Sequence, residues 1–138
     1  MAPHLEGFAL AYADFATQYL RAAKFIPSDD SHLFFPRLQL WGQSIELALK
    51  AYLWSRGKDP GHGHDLSHFT AEAQTLGLQL TTDELSSIIQ KVNEAYFERP
   101  SGERFMSRYP RLHGSAWVTP GFPAVAALVE SILQQAAR

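Results

Sequence analysis

Apolar residues recur along this chain every three or four positions, the period that puts them on one side of a helix. From Leu5 to Ile26 the recurring positions are Phe8, Tyr12, Phe15, Tyr19, Ala23 and Ile26. They predict a first helix whose mostly aromatic stripe faces the core. Pro27 and the cluster Ser28, Asp29, Asp30 and Ser31 end it. A second helix is predicted from near Pro36, a residue suited to a first turn, to about Arg56, with Gly57 as the stop. Leu38, Trp41, Ile45, Ala48, Leu49 and Tyr52 share one face, which Leu40, Leu47 and Trp54 widen. A helix apolar over so much of its circumference belongs at the centre of a bundle. Its polar stripe is Gln39, Gln43, Glu46 and Lys50, and Glu46 precedes Lys50 by four, the favourable order for a helix pair.

Lys58 to Gly63 is a turn, and Asp65 is a good N-cap for a short third helix carrying Leu66, Phe69, Ala73 and Leu76. Gly77 closes it. Thr81 with Glu84 three residues on is the pattern of a capping box, opening a fourth helix with core positions Leu85, Ile88, Ile89, Val92 and Tyr96. Glu98 to Gly121 has no sustained period and holds Pro100, Pro110 and Pro120. A connector that long inside a compact domain is uncommon and often functional. A last helix begins near Pro123 and turns Val125, Leu128, Val129, Ile132, Leu133 and Ala136 to one side. No segment alternates like a strand. The expected fold is all-α, an antiparallel up-and-down bundle of four to five helices forming one domain over residues 1–138.

Composition narrows the classes. Apolar residues are 46% of 138, enough for a sizeable core and too many for disorder. Cysteine is absent, which removes disulfide and thiolate chemistry and fits a reducing cytoplasm, the expected location. The start of the chain lacks the basic and apolar regions of a secretory signal, and no run of about 18 apolar residues predicts a membrane span. A net charge of −2 argues against a wholly basic nucleic-acid binder but leaves room for a local basic patch.

Two regions carry candidate chemistry. Glu46 sits in the middle of an apolar helix, where a buried carboxylate needs a partner. His64, just ahead of the Asp65 cap, is a candidate donor that would tie the second helix to the third; the alternative is a solvated Glu46–Lys50 pair. In the connector, Arg99, Arg104, Arg108 and Arg111 are four of the chain's 12 Lys and Arg residues, with Phe97, Phe105, Tyr109 and Trp117 among or beside them. Arginines hold phosphate and aromatics stack on bases, which is how single-stranded RNA is often bound. Glu98 and Glu103 dilute that charge, and the alternative is that the arginines pair with acids while the aromatics plug the bundle. His62, His64, Asp65 and His68 do not read as a metal site, because Asp65 serves better as a cap and His64 precedes the helix that carries His68. No metal and no cofactor are expected. Gly-rich phosphate loops and Gly-x-Ser-x-Gly elbows are absent.

The run Gln43-Ser44-Ile45-Glu46-Leu47-Ala48-Leu49-Lys50-Ala51-Tyr52-Leu53, followed by Gly63-His64-Asp65-Leu66 and Gly77-Leu78, resembles the HEPN domain, a helical bundle of prokaryotic toxins, defence proteins and RNA-processing enzymes. Asn93, Tyr96 and Arg108-Tyr109-Pro110 are similar to a small HEPN-like subgroup, and the likeness covers roughly residues 36 to 113. Many catalytic members carry an Arg and, a few residues later, a His; two copies meet in a cleft and cut RNA without a metal. The resemblance implies Arg108 and His113 for that pair; Arg99, Arg104, Arg111 and Tyr109 are expected as RNA contacts on the connector's own charge and aromatic content. It implies a homodimer, RNA or a nucleotide as ligand, and a cognate protein as a further candidate partner, with no membrane involved. Two positions depart from the pattern: Tyr109 stands where active members often have a small polar residue, and Pro110 interrupts the turn between the pair. The competing expectation is a non-catalytic interaction or scaffolding module whose Arg-rich connector is structural.

Overall fold

The computed structural model describes residues 5–27, 29–99, 102, 104–105 and 119–138. Among them the chain forms five α-helices: α1 (Gly7–Lys24), α2 (Phe34–Ser55), α3 (Leu66–Thr75), α4 (Gln90–Tyr96) and α5 (Phe122–Ala136). A 3-10 turn, Ser31–Leu33, leads into α2, and a π-helical stretch, Glu84–Ile89, leads into α4. The described residues hold no strand, only an isolated antiparallel bridge between Glu98 and Arg104. This is an all-α helical bundle.

The chain ends its helices with local chemistry. Thr81 and Glu84 make both bonds of the capping box: Thr81 N–H donates to Glu84 Oε1 at 2.8 Å and Glu84 N–H to Thr81 Oγ1 at 3.0 Å. Gly77 takes a left-handed φ of 107°, letting Leu78 N–H reach back to the Ala73 carbonyl at 3.0 Å. That turn corrects one assignment. Leu76, expected in the core, is exposed, and Leu78 beyond the glycine is buried instead. The π-helical stretch is a second difference from simple periodicity. Its wider turn takes up one extra residue and keeps Ile88, Ile89 and Val92 inside while Ser86 and Ser87 face solvent.

Helix α2 is the hub. The helices α1, α3, α4 and α5 all pack against it, and Leu38, Trp41, Ile45, Leu49, Tyr52 and Leu53 are buried at the centre. Val125, Leu128, Val129 and Ile132 of α5 complete the core.

The aromatic stripe of α1 is a correction to the expected core. Phe8 is 64% exposed, Phe15 50% and Tyr19 37%, with Tyr12 only partly buried. The buried stripe is Ala9, Ala13, Ala16 and Ala23, each of the first three one position after an aromatic residue, with Leu20 partly buried on the same line. Both stripes share one period, so spacing does not choose between them. Packing does: an alanine seam lets the α1 backbone come close to α2, and Ser44 Oγ donates to the Ala16 carbonyl at 2.9 Å. A stripe of phenylalanine and tyrosine would hold the two helices too far apart for that bond.

Candidate functional site

The polar stripe of α2 ends inside the molecule. Glu46 is 4% exposed and Lys50 7%. A carboxylate that deep requires partners on both oxygens, and it has them. Glu46 Oε1 accepts from His64 Nδ1 at 2.8 Å and from the Tyr96 hydroxyl at 2.8 Å; Oε2 lies 3.2 Å from Lys50 Nζ. Lys50 Nζ also donates to the Gly63 carbonyl at 3.2 Å and sits 5.0 Å from the centre of the Phe69 ring.

Each partner comes from a different element. His64 is delivered by the turn into α3, where Gly63 holds φ at 121°. Asp65 caps α3 by accepting from Ser67 N–H at 3.1 Å. Asn93 of α4 braces the same turn: its Oδ1 accepts from Leu66 N–H at 3.0 Å, and its Nδ2 donates to Asp65 Oδ1 at 2.9 Å. Tyr96 reaches Glu46 by lying flat across Gly42, one helical turn earlier on α2. A Cβ at Gly42 would fall within the Tyr96 ring. Glycine inside a helix costs about 1 kcal/mol relative to alanine, and here it makes room for the tyrosine.

The carboxylate fixes the imidazole tautomer. Carboxylate oxygens only accept, so Nδ1 of His64 carries the hydrogen and a neutral ring leaves Nε2 as an acceptor. The side chain is 39% exposed, and Nε2 has no partner among the described residues.

The start of the connector folds back beside this imidazole. Phe97 and Glu98 close α4 on the Asn93 carbonyl, and Gly102 N–H donates to the Arg99 carbonyl at 2.9 Å. Phe105 N–H then returns to the Phe97 carbonyl at 2.8 Å. Phe105 takes a left-handed φ of 54°, which a bulky residue rarely adopts, and its ring stands edge-on to His64 at 6.1 Å and to Phe97 at 5.7 Å. The Arg104 guanidinium lies 5.3 Å from the Phe97 ring centre and 3.3 Å from Glu98 Oε1.

Glu46, His64 and Asp65 are therefore neighbours, with Arg104 close by and Arg99 partly buried at the connector's start. Arg108, Tyr109, Arg111, His113 and Trp117 lie outside the described residues. His68 turns away to Glu72, with Nε2 3.1 Å from Oε1. Sequence reasoning missed Tyr96 as a carboxylate partner and Gly42 altogether. The usable signal was Gly42 itself, an expensive residue in the middle of a strongly helical run, one turn from the buried acid. A polar cleft of about 560 Å³ at the far end of α5 is a weaker candidate, because Arg56 there already donates to the Gln135 and Ala136 carbonyls, at 3.0 and 3.3 Å.

The HEPN domain model matches residues 39–114, more than half of the chain. No curated protein and no solved structure matches it. The matched span holds the Glu46 corner and the whole segment from Arg99 to His113. With an all-helical bundle and a match over the greater part of its length, the chain belongs to the HEPN domain family.

Proposed function

We propose that this chain, as one domain, binds RNA as a homodimer and cuts it without a metal ion, with Arg108 and His113 as the reacting pair. The observation that carries the reading is the extent of the family match, which runs through both residues and ends one position after His113. The chemistry suits the residue types. An imidazole takes the proton of a ribose 2′-hydroxyl, the oxygen attacks the adjacent phosphorus, and the 5′-oxygen leaves with a proton from the second copy's imidazole. Arg108 holds the phosphate as its charge grows. Arg99, Arg104, Arg111 and Tyr109 then serve the flanking nucleotides by charge and stacking. A reducing cytoplasm and a cognate protein that restrains the nuclease belong to the same reading.

A second reading is a non-catalytic HEPN module. It is favoured by Arg104, whose charge is engaged by Glu98 and whose plane rests on Phe97. Incubating purified protein with varied single-stranded RNAs in excess chelator separates the two. Cutting by the wild type, and a loss of about 10²- to 10⁴-fold in His113→Ala, is the expected result. Equal inertness of wild type and variant rejects the ribonuclease and leaves the module.

A further inference from the structure

The described part of the molecule holds one imidazole that is fixed by a buried acid and still open on its other side. The Nδ1 of His64 is committed to Glu46, itself held by Tyr96 and Lys50, so the ring cannot turn over without breaking a buried network. The side chain remains 39% exposed, and Nε2 is unpartnered among the described residues. Phe105, with a left-handed backbone, sets its ring edge-on to this imidazole at 6.1 Å. Tyr96 also stands edge-on to it, at 6.3 Å. Beside them Arg104 lies over Phe97, a flat cationic and aromatic surface of the kind on which sugars and bases rest.

We infer that His64 Nε2 is a fixed hydrogen-bond acceptor for a ribose 2′-hydroxyl, and that this contact makes the protein prefer RNA to DNA. The inference rests on the RNA-binding reading and deepens it. A neutral imidazole anchored through Nδ1 offers only a lone pair, so the group it selects is a donor. The 2′-hydroxyl is the donor that RNA has and DNA lacks. A free ring would pair with it weakly, because it would have to be ordered first. Glu46 has already ordered this one.

The test uses a short single-stranded oligoribonucleotide and its 2′-deoxy counterpart, with affinities read by fluorescence anisotropy. Protein carrying His113→Ala serves as the parent, so that the RNA is not consumed. The parent should bind the RNA about three- to tenfold more tightly than the DNA, the scale of one hydrogen bond. Adding His64→Asn should bring the RNA affinity down to that for DNA. Asparagine keeps a donor near the Nδ1 position for Glu46 but has no acceptor where Nε2 stood, so the melting temperature should hold. A measurement without a variant at position 64 runs alongside. In long-range ¹H–¹⁵N spectra of the parent, the His64 Nε2 resonance should move on adding the RNA and stay in place on adding the DNA. Binding of both oligonucleotides with no preference in the parent, or a preference unchanged by His64→Asn, overturns this inference alone. If neither oligonucleotide binds, the RNA-binding reading falls with it.

Discussion

Helix α1 and the corner around Glu46 solve opposite packing problems on the same central helix. On one side of α2, α1 approaches through alanines and leaves Phe8, Phe15 and Tyr19 in solvent. On the other, α3 and α4 bring Leu66, Phe69 and Val92 into the core together with a buried Glu46 and Lys50 that are held by hydrogen bonds. Large aromatic side chains stay outside on one face while an acid and a base lie inside on the other, the reverse of what hydrophobicity alone dictates. Close backbone approach decides the first case, and the hydrogen bonds on both oxygens of Glu46 decide the second.

The contrast can be broken from the polar side with the largest effect. Glu46→Ala leaves Lys50 buried 3.2 Å from nothing but a carbonyl and strands His64 and Tyr96. A loss of about 3–5 kcal/mol in urea unfolding is expected, the scale for removing one partner of a buried pair. A loss below about 1 kcal/mol would mean that the acid is solvated. Next in size is the seam. Ala16→Leu pushes α1 away from α2 and pulls its carbonyl from Ser44, so a destabilisation of about 1–3 kcal/mol is expected. Smallest is the outer stripe. Phe15→Ser should leave stability within about 0.5 kcal/mol, measured in the same unfolding series. A large effect there would restore the aromatic stripe to the core.

Much of the fold was legible because its signals are local. The Gly57 and Gly77 stops, the Asp65 cap, the Thr81–Glu84 box and the α5 stripe each need only a few neighbouring residues. The face of α1 was not legible, since the alanine and aromatic stripes differ by a single position and share one period. The contact of Tyr96 with Glu46 spans 50 residues and depends on how two helices cross, which no periodicity records. Burial of Lys50 was equally hidden: an i,i+4 pair reads the same in solvent as in the interior. The left-handed Phe105 had no sequence signal, because residues that favour such a backbone are glycine and asparagine.

Both regions present aromatic rings to solvent, and only one is built around a fixed acceptor. An apolar groove of about 440 Å³ between α1 and α2, lined by Phe15, Tyr19, Leu40 and Leu47, competes with the His64 corner as a place for bases to stack. Photo-crosslinking of single-stranded RNA carrying 4-thiouridine to the His113→Ala protein, followed by mapping of the modified peptides, distinguishes them directly. Crosslinks at His64, Phe97 or Phe105 are the predicted result. Crosslinks confined to Phe8, Phe15 and Tyr19 would contradict the placement of the RNA surface at the Glu46 corner.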